Sequence, residues 1–287
     1  MVNEIKTSDI RKIYPRRDPN SHKGMNGKVM IVGGSIEYFG APILSSLGAL
    51  YGGADLVYTF VPECNFEVNR SLYPDLIVRS FPGEHLDMKA VTPILEFAKK
   101  CDAILIGPGI GDREDTMEAV LRIVKSLGVT TVLDGEAIQV FKKIKEVPLP
   151  QKIVITPHHN EFENLTGKDI KVTGSMSNKI VLLRTIATDL KINIVLKGPE
   201  DLIASELGEI MINRTGNAGM TVGGSGDVLS GYLTGLIAQG AEPFAACQIA
   251  THLFGRAGDN LLKIKGYGFS ASDLAFEIPY AVMAARC

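Results

Sequence analysis

The chain has 287 residues, 45% of them hydrophobic and 22% charged, enough to bury a large core without help from disulfides or metal. Its formal charge of −2 provides no global positive field, which excludes a chain built to coat nucleic acid or an anionic membrane. Cys64, Cys101, Cys247 and Cys287 form no Cys-x-x-Cys pair, so neither a zinc ribbon nor a redox motif is indicated. The first residues lack a basic-then-apolar signal pattern, and the nearest membrane-span candidate, residues 228–241, is short and holds three glycines. A reduced, cytoplasmic, soluble protein is expected, acting on small molecules rather than on nucleic acid or membranes.

Short β-rich runs alternate with helical patterns along the chain. Strands are expected at 28–32, 56–60, 75–79, 103–106, 130–133, 152–155 and 192–196. Most are unbroken apolar runs, as suits strands buried on both faces of a parallel sheet. Helices are expected at 42–51, 91–100, 116–126 and 176–190, where apolar residues recur at helical spacing. An N-terminal helix with a polar arm, Arg16-Arg17-Asp18-Pro19-Asn20, should precede them. After residue 196 the pattern changes to a hairpin, 201–205 and 209–213 around Leu207-Gly208, and then to two long helices, from Asp227 and over 243–262. With no repeat and no linker, the whole of 1–287 reads as a single α/β domain, a mostly parallel central sheet with helices on both faces.

The most informative segment is Gly223-Gly224-Ser225-Gly226-Asp227, which leads into the periodic apolar residues Val228, Leu229, Tyr232, Leu233, Leu236 and Ile237. A glycine loop on a helix N-terminus gathers free backbone N–H groups and the positive end of the helix dipole, which together make an anion site. Asp227 at the first turn is either a capping carboxylate or a general base that deprotonates a hydroxyl as it attacks a phosphoryl group. The loop is neither a Walker A motif nor a dinucleotide fingerprint, since no Gly-Lys-Ser/Thr follows and no strand directly precedes it.

Other strand ends carry polar or glycine residues of the kind that ring the ligand edge of open α/β sheets. Gly33-Gly34-Ser35 and Gly40-Ala41-Pro42 follow the first long strand, as a ligand rim or a plain tight turn. Gly107, Gly109 and Gly111 leave the end of 103–106 clear of side chains, and Asp134 ends the next strand. In Thr156-Pro157-His158-His159-Asn160-Glu161, a metal pair of His158 and Glu161 lacks a third ligand, so no protein metal site is expected. Thr156 or Asn160 could cap a helix there, or His158 could bond a polar substrate. Lys197, in Lys197-Gly198-Pro199-Glu200-Asp201, is either a phosphate partner or a solvated lysine.

Taken in order, His22-Lys23-Gly24, Gly33-Gly34-Ser35, Gly40-Ala41-Pro42, Gly107-Pro108-Gly109, Leu133-Asp134, Thr156-Pro157-His158 with Glu161, Lys197-Gly198 and Gly223 to Asp227 resemble the NAD(P)H-hydrate dehydratase family, a ribokinase-like fold, over nearly the whole chain. The resemblance implies a stand-alone dehydratase, without the epimerase domain found fused to it elsewhere. It implies repair of hydrated NADH or NADPH with ADP (or ATP) as phosphoryl donor and Mg²⁺ assisting, in a homotetramer. Carried over by position, Ala41, Gly109, Gly111, His158 and Asp227 would contact the hydrate. Lys197, Gly198, Pro199, Glu200, Asp201 and Gly226 would hold the nucleotide. Asp227 would be the catalytic base, with the amides of Gly223, Gly224, Ser225 and Gly226 as the anion hole. Ser225 stands where the family usually has threonine, and His159-Asn160 where Pro-Gly is usual. The competing readings are a small-molecule kinase of the same fold, ending at a stable phosphate ester, and a non-catalytic nucleotide sensor.

Overall fold

The computed structural model describes residues 3–144, 147–167 and 175–286. The strands are β1 (Asn3–Glu4), β2 (Lys28–Val32), β3 (Leu56–Pro62), β4 (Ile77–Phe81), β5 (Ala103–Ile106), β6 (Thr131–Leu133), β7 (Ile153–Ile155), β8 (Asn193–Leu196), β9 (Asp201–Ala204) and β10 (Ile210–Asn213). The helices are α1 (Thr7–Ile13), α2 (Ala41–Tyr51), α3 (Glu63–Leu72), α4 (Met88–Ala98), α5 (Glu114–Ser126), α6 (His159–Thr166), α7 (Met176–Leu190), α8 (Ser225–Ala238), α9 (Pro243–Lys265) and α10 (Ala271–Arg286). Two 3₁₀ segments, Gly135–Lys142 and Ala218–Thr221, complete the described elements.

All ten strands form one sheet in the order β1-β10-β9-β8-β7-β6-β5-β2-β3-β4. The pairs from β8 across to β4 are parallel, while β9 runs antiparallel to both β8 and β10. The expected ribokinase-like α/β architecture, mostly parallel with both faces covered, is the one observed. Each central strand divides its side chains between two cores. Met30, Val32, Ile104, Ile106, Leu133 and Ile155 enter one. Val29, Ile31, Ala103, Leu105, Val132 and Val154 enter the other, against α2, α8 and α9. This two-sided burial is why the strands read as unbroken apolar runs.

Helices α2 and α8 pack backbone to backbone. A Cβ on Gly231 would strike the Ser45 carbonyl, and one on Gly48 would strike that of Val228, so only glycine permits this approach. The Ser46 hydroxyl donates to the Pro42 carbonyl at 2.7 Å and lies 2.7 Å from Thr59 Oγ1, tying the start of α2 to β3.

Several expected boundaries move. The run at 75–79 becomes β4 at Ile77–Phe81, because Asp75 lies in a turn before the strand and pairing with β3 continues to Pro62↔Phe81. The helix expected at 91–100 is α4, started earlier by Asp87, whose carboxylate accepts from Lys89 N at 2.8 Å. The hairpin strands are each one residue shorter than expected, since Ser205 Oγ accepts from Glu209 N at 3.0 Å and belongs to the turn. The helix expected from Asp227 starts at Ser225. β1, α3, α10 and both 3₁₀ segments have no counterpart in the sequence reading. Cys64, Cys101 and Cys247 are free thiols, while Cys287 lies outside the described residues. Among the described residues, no helix is long and apolar enough to cross a membrane.

Candidate active site

Strands β6, β7 and β8 are parallel neighbours, and the residue after each is polar: Asp134, Thr156 and Lys197. Shared strand direction brings the three side chains together along the rim formed by the strands' C-terminal ends. Lys197 Nζ lies 3.0 Å from Asp134 Oδ1, and Thr156 Oγ1 donates to the same oxygen at 2.7 Å. Asp134 is buried and the Lys197 side chain is only 18% exposed, so the solvated-lysine alternative is excluded. The Lys197 backbone N–H donates to the Pro157 carbonyl at 2.8 Å, which fastens the end of β8 to the turn after β7.

Above this rim stands the N-terminus of α8. Gly224 is its cap, left-handed at φ 90°, and Ser225, Gly226 and Asp227 are its first three residues. Asp227 is therefore not the cap; it occupies the third helical position, where a carboxylate is favoured by the dipole. A Cβ on Gly226 would lie 3.2 Å from Lys197 Nζ, so the ammonium sits against the first turn of the helix.

Three carboxylates surround this one ammonium. Burial, reinforced by the Asp134 charge and opposed by Lys197, pushes Asp227 up to about 7. Burial likewise pushes Glu161 up to about 7, with Lys197 opposing it. Burial pulls the Lys197 ammonium down, but Asp134, Glu161 and Asp227 together hold it above its ordinary value. A carboxyl group that gains and loses its proton near neutrality is matched to general acid–base work.

His158 caps α6 itself, rather than Thr156 or Asn160. Its Nδ1 accepts from Glu161 N at 3.2 Å, while Glu161 Oε2 accepts from His158 N at 2.7 Å, a reciprocal capping box. Thr156 is instead committed to Asp134. An accepting Nδ1 leaves the ring's proton on Nε2. Burial and the Lys197 charge hold the imidazole below its ordinary value, so the neutral ring is favoured.

A cavity of about 710 Å³ opens beside this cluster. His158, Lys197, Gly198, Pro199, Asp201, Ser225 and Gly226 line one end, with Met220, Leu229 and Phe254 as an apolar wall. Glu200 is absent from the lining. Its carboxylate takes the Arg214 guanidinium at 2.7 Å, which also binds Glu4 of β1 at 2.7 Å. Asp201 lines the cavity but spends its oxygens on the turn, accepting from Gly198 N at 3.1 Å and Asn213 Nδ2 at 3.0 Å. Burial, countered by those two donors, pushes it up to about 6.

Ala41, Gly109 and Gly111 lie outside this cavity. Ala41 is the first residue of α2 and touches Gly109, where a Cβ would come 3.1 Å from that of Ala41 and 2.8 Å from that of Tyr38. Gly111, at φ 74°, faces open space. This patch joins the anion loop through Leu44 of α2, which packs on Gly224. The tip of α8 therefore stands between the cavity and the Ala41–Gly109 patch. Gly223 and Gly224 line neither end of the cavity, whereas Ser225 and Gly226 do. Thr215 and Phe254 also line the cavity, and no motif in the sequence marks them.

A family model described as NAD(P)H-hydrate dehydratase matches residues 29–280. A protein of Nitrosopumilus maritimus (strain SCM1), the ADP-dependent (S)-NAD(P)H-hydrate dehydratase, is 37% identical over 278 residues, spanning 96% of this chain and 94% of that protein. The bifunctional NAD(P)H-hydrate repair enzyme Nnr of Archaeoglobus fulgidus is 38% identical over 279 residues, 97% of this chain and 55% of that protein. The chain spans about half the length of such bifunctional relatives. Among solved structures, the ADP/ATP-dependent NAD(P)H-hydrate dehydratase of Bacillus subtilis, co-crystallised with ATP and Mg²⁺, superposes with a TM-score of 0.85 at 25% identity, covering 99% of each chain.

Proposed function

The chain belongs to the NAD(P)H-hydrate dehydratase family, and on that footing we propose that it restores hydrated NADH or NADPH with ADP as phosphoryl donor. The observation that carries this reading is the placing of Asp227, raised to about 7, in the first turn of α8, directly after Gly226, which lines the cavity and lies against the Lys197 ammonium. Asp227 takes the proton of the ring hydroxyl as its oxygen attacks the terminal phosphorus of the donor. The bond from that phosphorus to the bridging oxygen breaks, and AMP leaves. The C–O bond of the new ester then breaks with phosphate as leaving group, the adjacent ring carbon loses its proton, and the double bond is restored.

In this scheme the nucleotide occupies the cavity, its base against Met220, Leu229 and Phe254 and its phosphates toward Gly198, Ser225 and Gly226. The amides of the Gly223–Gly226 turn meet the charge developing on the migrating phosphoryl group. Lys197 neutralises the donor's phosphates. Glu200 and Asp201 serve by holding the turn rather than by touching phosphate. Ala41, Gly109 and Gly111 bound the hydrate on the other side of the helix tip, where glycines leave room for a ring, and His158 meets it from the cavity end.

Mg²⁺ would neutralise phosphate charge when bound. Among the described residues no group of three or more His, Cys, Asp or Glu side chains is placed to hold a metal ion. Phosphate oxygens and water would be the main ligands of such an ion. A single cytoplasmic domain assembled as a homotetramer completes the reading. Incubating the protein with hydrated NADH and either ADP or ATP, and following the return of absorbance near about 340 nm, tests it. A stable phosphorylated product without that return would instead mark a small-molecule kinase.

A further inference from the structure

Asp134 has no part in the scheme above. It does not line the cavity, and it is only 4% exposed. A charge buried this deeply is costly unless paired, so its partners should show its purpose. Both use the same oxygen: Thr156 Oγ1 at 2.7 Å and Lys197 Nζ at 3.0 Å. The threonine hydroxyl fixes the carboxylate from β7, and the carboxylate then fixes the ammonium from β8.

A lysine ammonium sits on a flexible four-carbon stem and goes to whichever acceptor offers most. Here Glu161 and Asp227 also act on it. An ammonium that swung onto Asp227 would occupy the lone pairs the base needs and would leave the cavity edge. Its observed place is against Gly226 at the first turn of α8, with Nζ 3.0 Å from Asp134 Oδ1.

We infer that Asp134 is a positioning residue: it anchors Lys197 at the cavity edge and off Asp227, reserving the ammonium for a nucleotide phosphate and the Asp227 carboxylate for the substrate hydroxyl. The inference rests on the proposed function for what the ammonium meets.

A double-mutant cycle tests it through ADP binding measured by calorimetry on the wild type, Asp134→Asn, Lys197→Met and the double variant. Asp134→Asn should weaken ADP binding by at least about tenfold, the size of a lost charged hydrogen bond. The double variant should bind no worse than Lys197→Met alone, because Asp134 acts only through that lysine. Losses that simply multiply would overturn the inference, as would unchanged affinity in Asp134→Asn. In turnover, Asp134→Asn should lower kcat and raise KM for ADP while KM for hydrated NADH stays within about twofold. Equal rises in both KM values would indicate general damage and overturn it. Should Asp134→Asn fail to fold, Thr156→Val keeps the charge and loosens it. A three- to fivefold weakening of ADP binding, roughly the effect of a neutral hydrogen bond, is then expected, and no change would overturn the inference. A wild type that binds ADP and regenerates no NADH would sink the proposed function while leaving the cycle valid. One that binds neither ADP nor ATP would sink both.

Discussion

Leu44 of α2 lies so close to Gly224 of the anion loop that a Cβ on the glycine would fall on the leucine's Cδ1. Gly224 also holds a left-handed backbone at φ 90°. Gly224→Ala should therefore meet two penalties at once and lower stability by about 1–3 kcal/mol in urea unfolding. Adding Leu44→Ala should relieve the collision but not the backbone strain, so part of the loss returns. An unchanged unfolding midpoint in Gly224→Ala would contradict the geometry.

Asp227→Asn keeps the shape of the site and removes the proposed base. We expect turnover to fall by about 10²–10⁴, the usual worth of a positioned general base, with ADP affinity nearly intact. In the wild type, kcat/KM should rise through an acid limb near pH 7, where Asp227 loses its proton. The variant's residual rate should lack that limb. Wild-type turnover in Asp227→Asn would remove this carboxylate from the reaction.

The same residue makes a prediction about stability, and its sign is the reverse of the common carboxylate case. Asp227 binds its proton up to about 7 in the folded chain, against 3.8 ordinarily. Between those values the folded state holds a proton that the unfolded state has released, so stability falls as pH rises through this window. Asp227→Asn should therefore melt higher than the wild type above pH 7, by a few degrees in order of magnitude. The gap should close toward pH 4. Calorimetric melting of both proteins across that range checks the sign, and a gap that widens at low pH would refute it.

Gly226 separates binding from folding. It lies within α8, where alanine is a better helix former by roughly 0.5–1 kcal/mol, yet the added methyl would stand 3.2 Å from Lys197 Nζ on the cavity wall. Gly226→Ala should hold or slightly raise the melting temperature while weakening ADP binding by about tenfold, a loss on the scale of one misplaced contact. Calorimetry and thermal melting on one preparation read both effects, and unimpaired ADP binding would place the phosphates elsewhere.

What the sequence revealed and what it hid follow from how each element is buried. β2 and β5 were legible to the residue, because strands covered on both faces need unbroken apolar runs. α3 was invisible because its buried positions are Asn65 and Asn69 rather than apolar residues, so no helical stripe appears. Asn65 is there to donate to the Ser35 carbonyl at 2.8 Å, a contact 30 residues away in the chain. α10 buries mainly alanines and contains Pro279, which blurs its period and reads as a break. In the site, the glycine loop announced itself, since close approach and left-handed backbone demand glycine. The pairing of Asp134 with Lys197 did not, because it depends on β6, β7 and β8 being neighbours. Strand order is a property of the assembled sheet that no local pattern encodes.

The glycine seam between α2 and α8 has a mechanical consequence. Two helices seated with their main chains in contact cannot slide without collision, so Ala41 at the tip of one and Asp227 at the tip of the other form a single rigid jaw. Adjustment to an incoming molecule is left to the short turns beside it, such as 198–200 and 35–39. The spacing between the Ala41 and Asp227 ends is thus set when the chain folds, before any ligand arrives.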